Sequence, residues 1–161
     1  MLGNLIMKIY LKRIEQRGFI HGSNFNIERG ANIDANFCNL ISVGNNVTLA
    51  KNVYILAHDA SMKKFVGKTK VAKVVIGDNV FVGAHAVILS GVHIGNDVII
   101  GANSTVTKSV PSGEVWGGTP AKYIMKTKDF LAKHENRLET SCVSKNELRI
   151  FLDKEMVAYI D

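Results

Sequence analysis

The sequence predicts a mainly β protein, a parallel β solenoid with three flat sides, carrying an N-terminal helix and C-terminal helices. The first observation is a period of six. From Ile76 to Val110 every sixth residue is a branched aliphatic: Ile76, Val82, Ile88, Ile94, Ile100 and Val106. The second is what stands between them. Gly follows four of these residues, and the fifth place is small or β-branched at Val80, Ala86, Val92, Val98, Ser104 and Val110. The third is that the same register is legible earlier, at Val43, Leu49 and Ile55, across an insertion that leaves it intact. A fixed period sustained over many units marks a repeat architecture. It matches neither helical spacing nor strand alternation.

Each element follows from this reading. Residues 2–17 show helical spacing, with Leu2, Leu5, Ile6, Ile9, Tyr10 and Ile14 on one side and Lys8, Lys12 and Glu15 on the other. Gly18 supplies a stop. This helix is expected to plug the open end of the coil, because a terminal rung needs a cap. Its basic, amphipathic character also fits a weak membrane-surface contact. Weak repeats begin at Ile27 and Ile33 and break around Phe37–Ser42. In the regular stretch, one large aliphatic points inward, and Gly is expected to take backbone angles closed to other residues. Three units make one coil. Val43, Ile76 and Ile94 should then stack on one wall, Leu49, Val82 and Ile100 on the second, and Ile55, Ile88 and Val106 on the third. The insertion is placed at residues 61–75, and solenoid insertions gather on the binding face. Pro111 and the Gly117-Gly118 pair end the repeat. Charged helical patterns follow, with Ser144-Lys145-Asn146-Glu147 as a capping box for a helix to about Val157. The organisation expected is a helical cap at 1–18, the coil at 19–126 and a helical extension at 127–161.

Composition narrows the partners. The formal charge of +6 is concentrated, since Lys63, Lys64, Lys68, Lys70 and Lys73 all fall in the insertion without an intervening acid. That fits either a polyanionic ligand or acidic substrate at this loop, or a solvated loop. Nothing points to nucleic acid. Cys38 and Cys142 build no disulfide framework and lack metal-ligand spacing, so both are expected as free thiols in a reducing compartment. No signal-peptide pattern or membrane-length apolar run is present, and a cytoplasmic location is expected.

The stretch from about Ile27 to Lys126, with its sixfold Ile/Val-Gly pattern and its Gly118-Thr119-Pro120-Ala121-Lys122 string, resembles the hexapeptide-repeat acyltransferases. Within that family it is most similar to sugar, polysaccharide and xenobiotic O-acetyltransferases. The resemblance implies a left-handed parallel β-helix, and the left hand comes from the resemblance alone, since ordinary parallel crossovers are overwhelmingly right-handed. It also implies a homotrimer whose subunits share sites binding acetyl-CoA as cosubstrate, with no metal. The acceptor would be a small-molecule or lipid-linked sugar.

Among the five histidines, His58 stands out by position, at the corner where the insertion departs. In the resembled O-acetyltransferases a histidine at the mouth of such a loop is the general base. An imidazole, with a reference pKa of about 6.5, suits that work near neutral pH. No Ser or Cys has a partner base in recognisable spacing, so direct transfer is expected rather than an acyl-enzyme. Asp59 is open between orienting His58, binding acceptor and forming a corner turn. Motif matching implies coenzyme contacts at Ala84, Ala102, Thr107, Lys108 and Lys122. Phe81 stands where relatives carry a Trp flanking the site, and Asn39 sits in a segment similar to an acceptor-binding one. The alternatives are N-acetylation of an amino sugar, acetylation of an antibiotic, a metalloenzyme similar to γ-type carbonic anhydrases, and an inactive scaffold. For the metalloenzyme, His85 and His93 are eight residues apart and fall on different walls.

Overall fold

The computed structural model describes residues 2–141, with side chains from 5 to 134. Cys142 and the predicted helix from Ser144 lie outside the described residues. The chain divides into two compact units, Met1–Thr127 and a second that begins at Lys128. The first is a left-handed parallel β-helix.

Short parallel strands stack into three walls. The first wall holds Ile20–His21, Ile41–Val43, Val74–Ile76 and His93–Ile94. The second holds Asn26–Ile27, Thr48–Leu49, Phe81–Val82 and Ile99–Ile100, then a closing hairpin. The third holds Asn32–Ile33, Tyr54–Ile55, Val87–Ile88 and Thr105–Val106. The register is the one the period predicts: Ile76 pairs with Val43 and Ile94, Val82 with Leu49 and Ile100, and Ile88 with Ile55 and Val106. The coil starts earlier than the repeat is legible, since Ile20 and His21 pair with Ser42 and Val43. Leu49, Ile55, Val82, Ile88, Ile94, Ile100 and Val106 are fully buried. Each stacked Ile or Leu contributes about 1.5–3 kcal/mol by leaving water.

The reason expected for Gly needs correction. Gly77, Gly83, Gly95 and Gly101 are not in the left-handed region. Three of them, Gly77, Gly83 and Gly95, are needed for space: a Cβ on Gly83 would lie 2.5 Å from the Ala102 amide nitrogen on the next rung, whereas one on Gly101 would meet nothing closer than 3.5 Å. The left-handed residue is instead the fourth of most units. Asn46, Asn52, Asn79, His85, Asp97 and Asn103 all have φ of 54–60° there. Asn, Asp and His are the non-Gly types that tolerate this region best. Their side chains also link rungs, Asn24 donating to Asn46, Asn46 to Asn79 and Asn79 to Asp97 at 3.0–3.1 Å.

Helix α1, Leu2–Glu15, closes the lower end. Gly18 ends it, with the Gly18 amide donating to Glu15 and the Phe19 amide to Ile14. This is a Schellman turn, and its apolar pair Ile14 and Phe19 is buried. The Tyr10 hydroxyl donates to the Ile33 carbonyl and accepts from the Ile33 amide. It thereby satisfies strand groups that have no rung below. The packing stripe differs from the expected one. Tyr10, Leu11 and Ile14 face the core, while Leu5, Ile6 and Ile9 are 55–60% exposed. The predicted apolar side was too broad for the contact a single coil end offers.

At the upper end Glu114–Gly117 pairs with the second wall and turns back as Lys122–Lys126. Glu114 accepts from the Trp116 indole at 2.8 Å and the Lys126 ammonium at 2.7 Å. These donors hold its carboxyl below the ordinary range, the Lys126 bond first. Helix α2 spans Thr127–Ser141, entering the second unit at Lys128, and brings Phe130 and His134 into edge-on contact. Among the described residues no helix is long and apolar enough to cross a membrane.

Candidate active site

The repeat breaks twice, and both breaks fall at one corner. Between the third and first walls a regular corner carries the chain from one stacking aliphatic to the next in six residues. From Ile33 to Val43 it takes ten, and from Ile55 to Ile76 twenty-one. The extra chain on these consecutive rungs builds the site.

The larger break is a hairpin. His58–Asp59 pairs antiparallel with Lys70–Val71, and a single helical turn at Lys63–Val66 forms its tip. The excursion therefore begins at His58 rather than Ser61. Val74 and Val75, expected in the loop, belong to the first wall. The lower break is a turn, in which the Phe37 amide donates to the Asp34 carbonyl, followed by a 3-10 turn at Cys38–Leu40. Cys38 is buried against the end of α1, anchoring this segment.

The two breaks meet at His58. The Asp34 carboxylate accepts from His58 Nδ1. It also accepts the Ala57 amide at 3.1 Å and the Asn36 amide at 3.3 Å. The Asp34 side chain is 3% exposed and the His58 side chain 31%. A carboxylate held this way fixes the ring and puts the proton on Nδ1, leaving the Nε2 lone pair outward. Nε2 has no hydrogen-bond partner among the described residues. Phe37 packs on the imidazole with ring centroids 5.0 Å apart. Asp34 and Phe37 were not singled out from the sequence. The available signal was the column Asp34, Leu56, Leu89 and Thr107, the residues that follow the third-wall aliphatics, in which Asp34 carries the only charge.

A cavity of about 400 Å³ opens beside His58. His58, Asp59, Ala60 and Lys70 line it from the hairpin, and Leu56, Leu89, Ser90 and Thr107 from the stacked corner. The structure thus brings Asp59 and Thr107 to His58. Asp59 does not orient the imidazole, a role held by Asp34. The Asp59 carboxylate accepts the Ser61 amide at 2.9 Å. That bond and the nearby Lys70 lower its pKa, the Ser61 contribution being largest.

The other expected residues lie elsewhere. Asn39 does not line the cavity; it is exposed and sits against Gly18 after α1. Its 3-10 turn is pulled toward the helix by Cys38. Phe81 points outward from the second wall at 46% exposure. Ala84 and Ala102 occupy the opposite edge of the third wall on adjacent rungs, joined by the Asn103 amide donating to the Ala84 carbonyl at 2.8 Å. Lys108 is exposed beside Thr107, and Lys122 is exposed where the closing hairpin returns. Among the described residues no three His, Cys, Asp or Glu side chains converge as a metal ion would require.

Comparison with known proteins follows the same lines. Residues 73–108 match the model of the bacterial transferase hexapeptide (six repeats). Protein CapG of Staphylococcus aureus is 42% identical over 118 residues, 70% of this chain and 69% of that one. The galactoside O-acetyltransferase of Escherichia coli is 37% identical over 123 residues, 69% of this chain and 58% of that one. A hexapeptide-repeat acetyltransferase of Vibrio cholerae, solved with acetyl-coenzyme A, superposes with a TM-score of 0.62 at 27% identity, covering 69% of this chain and 62% of that one. The chain spans less than two thirds of the latter two.

Proposed function

The chain belongs to the hexapeptide-repeat acyltransferase family, and from that premise we propose that it transfers acetyl from acetyl-CoA to a sugar hydroxyl. The acceptor would be a sugar or polysaccharide precursor, with His58 as the general base. The observation that carries this reading is the Asp34–His58 pair at the mouth of a cavity.

A sugar hydroxyl is a weak nucleophile near neutral pH. His58 Nε2 accepts its proton as the oxygen attacks the acyl carbon, and the imidazolium formed is stabilised by the Asp34 carboxylate behind Nδ1. The same nitrogen then returns the proton to the departing sulfur, so base and acid are one residue. When bound, acetyl-CoA supplies the activated thioester. The cavity suits it in size and lining: about 400 Å³ holds a thioester end and a hydroxyl but not a whole coenzyme. The rest of the coenzyme needs a longer slot. Thr107 and Lys108 at one edge of the third wall, and Ala84 and Ala102 at the other, support a slot completed by the neighbouring subunit of a homotrimer.

The test is transfer of labelled acetyl from acetyl-CoA to a panel of sugars, with mass spectrometry of the product. An O-acetyl ester that forms with the wild type and not with His58→Ala supports the reading. An amide product would instead favour N-acetylation, and transfer undiminished in His58→Ala would remove the mechanism. Sedimentation equilibrium giving three times the chain mass is the expected result for the assembly, and a monomer would remove the shared slot.

A further inference from the structure

The geometry points to Lys70 as the residue that selects an acidic acceptor, a sugar bearing a carboxylate or phosphate within reach of the hydroxyl that is acylated. This deepens the reading above and rests on it.

The hairpin over the cavity carries five lysines, Lys63, Lys64, Lys68, Lys70 and Lys73, against the single carboxylate of Asp59. That excess of four accounts for most of the formal +6 of the chain. Only one of the five, Lys70, lines the cavity with His58. It lies directly across the hairpin from Asp59. A cross-strand ion pair would be the simple structural use for it. Yet Asp59 turns its carboxylate back onto the Ser61 amide. Among the described residues the ion pairs formed are His21–Glu15, His58–Asp34 and Lys126–Glu114, and Lys70 is in none of them. Lys70 therefore meets Asp59 only through space, and the hydrogen-bonding capacity of its ammonium stays available in the reaction cavity.

Two anions could answer it, and geometry separates them. The phosphates of coenzyme A are removed from its sulfur by the whole pantetheine arm. With the thioester beside His58 they lie far from a lysine lining the same small cavity. The acceptor does not, because its nucleophilic oxygen must touch Nε2. An anionic group near that hydroxyl meets Lys70 directly, and the remaining lysines raise its local concentration.

The experiment measures kcat/KM for galactose, galacturonate and galactose 6-phosphate with acetyl-CoA, in the wild type and in Lys70→Met, Lys70→Arg and Lys68→Met. The expected result is a preference for one or both acids of about tenfold to a hundredfold, the worth of a hydrogen bond to a charged group. The carboxylate and phosphate arms tell which anion is read. Lys70→Met should bring the acid-to-neutral ratio toward one, Lys70→Arg should retain it, and Lys68→Met, away from the cavity, should leave it in place. The preference should weaken with added salt. A neutral sugar used as well as its acids, or a ratio insensitive to Lys70→Met, overturns the inference while leaving O-acetyl transfer standing. Transfer to none of the three sugars counts against sugar O-acetylation itself, and this inference goes with it.

Discussion

The rungs from Ile76 to Val110 and the corner around His58 are built from one coil by opposite means. In the rungs each position has one job repeated: aliphatic inward, Gly where backbones touch, Asn, Asp or His at the left-handed turn. At the corner that repetition is suspended on two consecutive rungs, and residues of three unrelated kinds, Asp34, Phe37 and Lys70, converge on one imidazole or its cavity. Repetition makes a rigid frame and leaves no room for chemistry. The interruption gathers the groups on which the proposed chemistry rests and borrows its rigidity from the frame.

The sharpest way to break this comparison is His58→Ala. Transfer should fall by about 10²–10⁴-fold, the worth of a positioned general base, while stability falls by only about 1–3 kcal/mol, because the buried Asp34 keeps its Ala57 and Asn36 amide donors. Steady-state kinetics with a thermal melt decides it. Next comes the converse, Ile94→Ala in the frame. A fully buried rung aliphatic cut to Ala should cost about 2–5 kcal/mol of stability in denaturant unfolding, with kcat of the folded protein unchanged. A large loss of kcat there would mean frame and site are not separable.

Asp34→Asn should act on both sides. It keeps the shape but offers a poorer partner to Nδ1, so kcat should drop on the order of 10²-fold. It also disturbs the bonds from Ala57 and Asn36, with a stability cost of about 1–3 kcal/mol. Full activity in this variant would show that His58 needs no orienting carboxylate.

The smallest effect is expected at the far end of the frame, and pH reveals it. Glu114 is held below the ordinary carboxyl range by Lys126 and Trp116. Its folded pKa lies below its unfolded one, so its contribution is present above the unfolded value of about 4.3 and disappears as pH falls through the folded value. Trp116 is the single tryptophan and donates to this carboxylate. Its emission should therefore change over that acid window, and Glu114→Gln should abolish the change. An emission unaltered below pH 4 would show that the closing hairpin is held without this carboxylate.

Much of this was legible in the sequence, and the part that was not has a physical cause. The period alone determined the three walls and their register, because stacking forces every sixth aliphatic into the same interior. It also put His58 at the corner of the insertion, although it placed the departure at Ser61 and the structure places it at His58. The sequence could not say which carboxylate holds the imidazole. Asp59 is adjacent in the chain, but neighbours on a strand point opposite ways, and its oxygen is taken by a local turn. Asp34, twenty-four residues earlier, lies one rung below, and only stacking makes it a neighbour. Likewise the placing of Lys70 in the cavity and of Asn39 outside it depended on how a hairpin and a 3-10 turn fold back on the corner. Repetition writes itself into sequence because each unit meets an identical partner, whereas contacts between interruptions leave no period to read.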